Sequence, residues 1–245
     1  MCGRFRLARK KEILEEEFAA ESVGDELAWA AISSPRYNVA PSQQIAVLRQ
    51  DSTTPRRTLS PMLWGMIPST ISSKPRDAAI GFKTINARSE SAASLPAFRE
   101  PLRTQRCLIP ADGFYEWRRE GKQKLPFCFT MADNSLFAFA GLWDRWRSPQ
   151  GQIVESCTIL TTKPNELLRE IHDRMPVILP RRHYDLWLDP GFHSVTELRP
   201  LLAPFPAEQM RRYPVSQRVN NVKYDDAECA EELTTDEPHQ PELGF

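Results

Sequence analysis

The chain has 245 residues, with 32 Lys and Arg balanced by 32 Asp and Glu, and 41% of its residues are apolar. This length suits one large domain or two small ones, and the apolar content is sufficient for a buried core. No apolar run is long enough to cross a membrane, and the start MCGRFRLARKKEILEEEF lacks the apolar centre of a signal peptide. These features exclude a membrane protein and predict a soluble, cytoplasmic one.

The predicted elements of the first half are a surface helix, a loop, two strands and two short helices. In chain order they lie at residues 10–20, 33–43, 45–50 and 57–68, with both short helices inside 84–102. The first helix places Ile13, Leu14 and Phe18 on one face, at the spacing of an amphipathic helix. Pro35 and Pro41 favour the loop.

From Arg106 onward the pattern becomes rich in β-strands joined by short polar turns. The strand segments lie at residues 107–118, 125–131, 136–143 and 154–161. Helices are then predicted at 164–171, 181–188 and 194–202, with strands at 175–180 and 212–216. Because strands come in runs with helices inserted, the fold class is α+β rather than alternating α/β. We expect a single domain with a mixed, closed or half-closed barrel and peripheral helices.

The zero net charge hides an uneven distribution. Residues 225–245 contain eight acids and no Lys or Arg, which leaves 24 acids against 32 basic residues in residues 1–224. A basic body suggests a polyanionic partner, although solvated acidic tails are common in soluble proteins. The acidic segment has too little apolar content to fold alone. We therefore predict a domain over residues 1–224 and a disordered acidic tail over residues 225–245.

Five cysteines are spread along the chain, at Cys2, Cys107, Cys128, Cys157 and Cys229. Their odd number argues against a disulfide framework, and the lack of a C-x-x-C pair argues against a zinc ribbon. We expect neither a metal nor another cofactor. The last four cysteines are interpreted as small apolar residues that fill strands and the tail.

Cys2 is different because removal of Met1 would leave its α-amine free beside its thiol. An α-amine has a pKa of about 7.7–8.0 and is substantially neutral near pH 7. It can attack an aldehyde to give a Schiff base, as amine nucleophiles do. The adjacent thiol can then close onto the imine carbon and form a five-membered thiazolidine. A mature chain that starts at Cys2 would therefore trap aldehydes.

Two internal segments offer proton carriers. In GFYEW, strand alternation points Glu116 to the same side as Phe114, toward an interior where an apolar setting raises a carboxyl pKa. A solvated glutamate on an outer face is the alternative. His172 follows a predicted helix and precedes a buried strand, a place that also suits a structural histidine.

Two further segments offer polar and aromatic contacts. Asn86 and Arg88 stand at a predicted helix start, where Asn can cap the helix and Arg can lie on the surface. Trp64 precedes a glycine and is either a platform for stacking bases or a core residue.

Together these segments resemble the SOS response-associated peptidase (SRAP) family, the abasic-site processing proteins. The runs that carry the resemblance are MCGRF, RYNVAPSQ, WGMIP, INARSE, RCLIPADGFYEW, FAGLW, CTILTT, IHDRMPVIL and YPVSQRVNN. They follow one another in order across nearly all of residues 2–221. Ser69 and Thr70 stand where the family often carries a further aromatic residue, so the resemblance supports no second stacking contact there.

The resemblance implies a substrate and a set of catalytic roles. The substrate is the ring-opened deoxyribose aldehyde of an abasic site in single-stranded DNA, including sites at single-strand to double-strand junctions. Cys2 would be the crosslinking nucleophile, and Asn86 would contact the sugar oxygen. Glu116 would carry protons during imine formation and ring closure, and His172 would promote opening of the sugar ring.

The resemblance also implies a DNA-binding surface. Arg4, Arg88 and Arg174 would hold phosphates, while Asn38, Pro41 and Trp64 would shape the groove. The protein is expected to act as a monomer that associates with the nucleoid when bound to DNA.

Two other classes of protein remain as alternatives. Glutamine amidotransferases with an N-terminal nucleophile also begin Met-Cys-Gly, but they need an Asn-Gly-Asp run that this chain lacks. A single-strand DNA binder that makes no covalent bond, with Cys2 incidental, is the other alternative. Reaction with abasic DNA separates these classes.

Overall fold

The secondary structure comprises strands and short helices over the part of the chain that the computed structural model describes, which is residues 2–30, 32–50, 56–70 and 83–233. The strands are β1 (Phe5–Leu7), β2 (Ala20–Ser22), β3 (Arg36–Val39), β4 (Gln44–Gln50), β5 (Arg57–Trp64), β6 (Asn86–Arg88), β7 (Arg106–Ala111), β8 (Gly113–Glu120), β9 (Gln123–Met131), β10 (Phe137–Arg147), β11 (Ile153–Thr162), β12 (Met175–Pro176) and β13 (Met210–Pro214). The helices are α1 (Lys11–Phe18), α2 (Glu26–Ala30), α3 (Ser89–Ala92), α4 (Pro96–Thr104), α5 (Tyr184–Leu188) and α6 (Val195–Leu198).

Five strands form a closed barrel. Strands β11, β10, β7, β4 and β5 pair in that order as antiparallel neighbours. Parallel pairing of β5 with β11, at Leu63 opposite Ser156 and Trp64 opposite Cys157, then closes the ring. Strands β2, β6 and β12 attach at its margins. The predicted α+β single domain with a barrel-like core is confirmed.

A second sheet packs against the barrel through aromatic side chains. Its strand order is β13-β9-β8-β1-β3. Phe5 of β1 and Phe114 of β8 both pack edge-on against Phe139 of the barrel strand β10, with ring centroids 5.9 Å apart in each pair. Such edge-to-face pairs add to the stabilisation from apolar burial. The second sheet contains the N-terminal strand β1, which packs on the barrel through these side chains.

The helices lie at the periphery, as the sequence predicts. Helix α1 buries Leu14 and Phe18, and the Phe18 ring stacks on Tyr184 of α5 with centroids 5.9 Å apart. Pro96 stands in the first turn of α4, where its missing N–H costs no hydrogen bond. No helix among the described residues is long and apolar enough to cross a membrane.

Two segments differ from their predicted secondary structure. The predicted loop contains β3, which pairs with β1 through Phe5 opposite Val39. The predicted helix at 164–171 is a series of turns instead. There the Asn165 amide donates to the Phe205 carbonyl at 2.8 Å, and its oxygen accepts the Leu168 N–H at 3.1 Å. These side-chain bonds compete with a helical ladder, which explains the turns.

Residues 216–233, here named the C-terminal clasp, fold back over the second sheet. The Asp225 carboxylate accepts the backbone N–H groups of Tyr37 at 2.6 Å and Asn38 at 2.7 Å, and it pairs with the Arg36 guanidinium. A carboxylate with three charge-assisted or backbone donors is strongly fixed in place. Asp225 therefore holds the clasp against β3.

The clasp corrects the predicted boundary at residue 224. Beyond Asp225, Asp226 pairs with Arg218 at 2.7 Å, and Cys229 is fully buried. Glu232 forms a β-bridge with Val215. Residues 225–233 are therefore folded rather than disordered. Ion pairs with Arg36 and Arg218 and the buried Cys229 hold this segment in place, although it contains few apolar residues. Residues 234–245 lie outside the described residues.

We expect Asp225→Ala to lower the free energy of unfolding by about 1–3 kcal/mol, because two backbone N–H groups lose their acceptor. For a chain of this length that is a fall of about 2–4 °C in Tm per kcal/mol. Asp226→Ala is the matched control, since it removes an ion pair near the surface, and such pairs contribute little to stability. Thermal denaturation measures both. Equal Tm values for the two variants would contradict the role given to Asp225.

Candidate functional site

Cys2 lies just before β1 and is held by the barrel. Its side chain is fully buried, and its carbonyl accepts the Asn86 amide N–H at 2.8 Å. Asn86 opens β6, which pairs in parallel with β11 at Ile159. The barrel strand thus carries Asn86 to the N-terminal segment, and two of the predicted site residues are in direct contact. Met1 lies outside the described residues.

Glu116 provides a buried carboxyl beside Cys2. It is 3% exposed and shares its side of β8 with Phe114, whereas Tyr115 packs in a separate cluster on the other side. The alternation predicted from GFYEW is therefore confirmed. Burial raises the pKa of Glu116 to about 7. This carboxyl can exchange a proton close to neutral pH.

The Cys2 thiol is protonated at neutral pH. Burial raises its pKa well above the usual range, and the nearby Glu116 carboxylate raises the pKa further. Since the thiolate is the nucleophilic form of cysteine, this thiol needs a group that accepts its proton before it can react. The nearby Glu116 carboxylate can accept this proton.

A cavity of about 480 Å³ opens beside these residues. Strand β1 pairs with β8 at Gly113 and Phe114, and the Tyr115 N–H donates to the Arg4 carbonyl at 3.0 Å, so the part of β8 after Tyr115 extends beyond β1. The cavity is lined by Arg4, Glu116, Trp117, Arg119, Lys124, His172 and Asn220. It holds three formal cations, and its carboxyl is half-neutralised near pH 7. It therefore suits an anionic substrate.

His172 joins Glu116 at this cavity. Burial lowers the pKa of His172, although the Asp173 carboxylate 2.9 Å from Nδ1 opposes the shift. The ring is therefore neutral at pH 7. Its Nδ1 lies 3.0 Å from the backbone N–H of Arg174 and 2.9 Å from the Asp173 carboxylate. A neutral imidazole can accept a proton and return it near neutral pH.

Arg4 lines the cavity, and hydrogen bonds to residues outside the cavity lining fix its guanidinium. Its guanidinium donates to the Asn38 side-chain oxygen at 2.6 Å and to the Val219 carbonyl at 2.7 Å, and it lies over the Trp117 ring. Asn38 is fully buried and donates to the clasp carbonyls of Asn221 and Tyr224. The predicted groove contact of Asn38 is therefore corrected: this residue positions Arg4.

Arg174 and Arg88 differ in what they can offer a phosphate. Arg174 is 8% exposed, pairs with both oxygens of Glu90 and donates to the Thr161 carbonyl at 2.6 Å. The Arg174 guanidinium lowers the pKa of Glu90 to about 2. Both terminal nitrogens of this guanidinium are thus engaged, its buried Nε has no hydrogen-bond partner among the described residues, and the phosphate contact stays a prediction. Arg88 is exposed, two residues beyond Asn86 on β6.

Trp64 and Pro41 lie away from the cavity lining. Trp64 is fully buried, donates its indole N–H to the Ile85 carbonyl at 2.9 Å and packs edge-on against Phe5. Of the two interpretations of Trp64, the structure supports the core residue, because a buried ring presents no face to a base. Pro41 is half-buried next to Ser42, whose N–H donates to the Trp64 carbonyl at 2.8 Å.

The cavity also contains residues that the sequence predictions missed: Trp117, Arg119, Lys124 and Asn220. The indole N–H of Trp117 donates to the Asn220 side chain at 2.6 Å, which links β8 to the clasp. The basic run around the hairpin turn, WRREGKQK, was the available signal for Arg119 and Lys124. Among the described residues, no group of three or more His, Cys, Asp or Glu side chains could hold a metal ion.

Comparison with known families gives a match over nearly the whole chain. A family model described as SOS response associated peptidase (SRAP) matches residues 1–222. The abasic site processing protein YoqW of Bacillus subtilis is 43% identical over 232 residues, which cover 94% of this chain and 99% of YoqW. The abasic site processing protein HMCES of Gallus gallus is 32% identical over 80% of this chain and 65% of that protein.

Solved structures give the same result for the fold. A protein from Bacteroides thetaiotaomicron is similar with a TM-score of 0.86 and 27% identity, over 95% of this chain and all of that one. A protein from Bordetella bronchiseptica is similar with a TM-score of 0.74 and 32% identity, over 88% of this chain and all of that one.

Proposed function

Since the chain belongs to the SOS response-associated peptidase family, we propose that it processes abasic sites in DNA. It captures the ring-opened deoxyribose aldehyde of an abasic site in single-stranded DNA and holds it through Cys2. The curated relatives are named abasic site processing proteins, and the positively charged cavity suits a DNA strand.

The proposed reaction needs no redox step. Hydrolysis of the Met1–Cys2 bond first consumes water and frees the α-amine of Cys2. The amine adds to the aldehyde carbon and water leaves, which forms the imine. The thiol then adds across the C=N bond: sulfur bonds to carbon and its proton ends on nitrogen. The product is a thiazolidine that links protein and sugar.

One observation carries the proposal: Cys2 lies between Asn86, which bonds to its carbonyl, and the buried carboxyl of Glu116. A carboxyl with a pKa of about 7 can accept a proton and return it at neutral pH, as the amine and thiol steps require. The raised pKa of the Cys2 thiol favours attack by the amine first and by sulfur second. It disfavours an amidotransferase, which attacks with a thiolate.

The other site residues support positioning and ring opening. Asn86, whose amide N–H bonds to the Cys2 carbonyl, contacts the sugar oxygen of the bound abasic site. Neutral His172 at the cavity takes the proton of the anomeric hydroxyl and returns it to the ring oxygen as the ring C–O bond breaks and the aldehyde forms. Arg4 and Arg88 contact phosphates, the first in the cavity and the second on the exposed end of β6.

Mass spectrometry tests the proposal. The purified protein is mixed with single-stranded DNA that carries one abasic site, and the mixture is denatured before measurement. A covalent adduct, with the mass of protein lacking Met1 plus DNA minus one water, is expected. Glutamine hydrolysis without an adduct would indicate an amidotransferase. Reversible binding alone would indicate a single-strand binder without covalent chemistry.

We expect His172→Gln to slow adduct formation on the natural abasic site by roughly 10²-fold, the lower end for loss of a general acid–base group. A strand with an acyclic aldehyde at the same position should be captured at a rate closer to wild type, because the opening step is bypassed. His193→Gln, at an exposed position, is the control. Equal slowing by His172→Gln on both substrates would assign His172 to structure.

A further inference from the structure

The β8–β9 hairpin places two cations directly opposite each other. In its antiparallel register Arg119 faces Lys124, and Glu120 faces Gln123 at the turn. The turn begins at Gly121, whose φ of 59° is in the left-handed region that favours glycine. Opposed like charges destabilise a strand pair. This pair therefore destabilises the hairpin, so a role in hairpin stability does not explain why both cations are present.

Neighbouring acids do not neutralise the pair. Glu120 is bound to Arg118 at 2.6 Å, and Glu170 is paired with Arg212. Among the described residues, neither Arg119 nor Lys124 has an ion-pair partner. Both side chains are exposed along the cavity wall.

The pair shares the cavity with the reacting groups. Arg119 is three residues from Glu116 along β8, a distance of about 10 Å at the usual rise of a strand. Arg88 is not among the residues that line this cavity, and it belongs to the barrel rather than to the hairpin.

We propose that Arg119 and Lys124 form a subsite for a backbone phosphodiester of the DNA strand on one side of the abasic nucleotide, separate from Arg88. The inference rests on the proposed function and extends it to the flanking strand. The planar fork of Arg119 suits two phosphate oxygens, and the Lys124 ammonium adds a point charge from the opposite strand. A phosphate bound there removes the repulsion within the hairpin.

The test uses equilibrium binding to strands that carry a tetrahydrofuran analogue of the abasic site. This analogue has no aldehyde, so binding is measured independently of covalent capture. Three strands are compared: one with long flanks on both sides, one cut to a single nucleotide on the 5′ side, and one cut on the 3′ side. For wild type, removal of one particular flank should weaken binding more than removal of the other.

Single variants Arg119→Gln and Lys124→Gln should lose most of the affinity that this flank adds. Each should also lower the slope of log K against log salt by about 0.7, the value for one phosphate contact in a single strand. Lys122→Gln is the matched control, because it removes one exposed cation from the same hairpin at the turn, outside the cavity lining. It should keep the wild-type flank dependence. The melting temperatures of the two cavity variants should not fall, since each removes a repulsion.

An unchanged flank dependence and salt slope in both cavity variants would overturn the subsite. So would competition by inorganic phosphate with no dependence on either flank, because the pair would then bind a free anion. Failure of the proposed function has a different signature. In that case no adduct forms with the natural abasic strand, whatever the flank dependence of the analogue.

Discussion

Cys2→Ser is expected to abolish the stable adduct with abasic single-stranded DNA while folding is retained. Serine keeps the free α-amine and the size of the side chain, so an imine can still form. It lacks the thiol that closes the thiazolidine, and the imine therefore returns to aldehyde and amine by hydrolysis. The measurement is adduct yield after denaturation, with and without borohydride. Only the borohydride-treated sample of the variant should retain DNA, because reduction converts the imine to a stable amine.

Two controls make this result specific to the thiol. Cys2→Ala should behave like Cys2→Ser, since both lack sulfur. Cys229→Ser removes a buried thiol from the clasp and should leave crosslinking intact, even if the clasp becomes less stable. A borohydride-independent adduct at the wild-type rate in either position-2 variant would show that the thiazolidine mechanism is wrong.

Glu116→Gln is expected to slow ring closure by roughly 10²–10⁴-fold, the usual loss for a general acid–base group. Glutamine matches the size of the side chain but cannot exchange a proton. Reversal of the adduct should slow as well, because the same group serves both directions. Glu120→Gln, at an exposed position on the same strand, is the matched control and should have near wild-type rates.

The pH dependence identifies the carboxyl. In wild type, closure should slow as pH falls below about 7, because Glu116 is then protonated and cannot accept the thiol proton. Reversal should slow as pH rises above about 7, because the ionised form cannot donate. Both limbs should vanish in Glu116→Gln. Limbs that persist in the variant would assign the proton transfer to another group.

Local patterns were sufficient to predict which side of β8 Glu116 occupies. The alternation of GFYEW has a period of two residues, which is fixed by the strand itself, so Glu116 could be assigned to the side of Phe114, whereas the pattern left open whether that side faces the interior. Hairpin turns were predictable from their turn residues, and most peripheral helices from the spacing of their apolar residues. The roles of Cys2 and Asn86 were suggested by the family resemblance. The contact between the two residues depends on the pairing of β6 with β11.

The features that the sequence patterns did not reveal depend on contacts between residues far apart in sequence. Trp64 is buried because β5 pairs with β11 to close the barrel, and no pattern near WGMIP shows that closure. Asp225 is ordered because β3 supplies two N–H donors and a guanidinium. Composition predicted disorder since it records only the lack of apolar residues. Arg174 is engaged because the Glu90 carboxylate meets it from α3.

The burial of Glu116 also links the stability of the whole fold to proton uptake. Its pKa rises from an ordinary 4.5 to about 7 on folding, so between these values the folded chain binds a proton that the unfolded chain releases. The free energy of unfolding therefore falls as pH rises through this window, by a total on the order of 3 kcal/mol, and the loss persists at higher pH. A glutamine at this position carries no such penalty. The inactive Glu116→Gln protein should accordingly melt at a higher temperature than wild type at pH 8, with the difference narrowing toward pH 5.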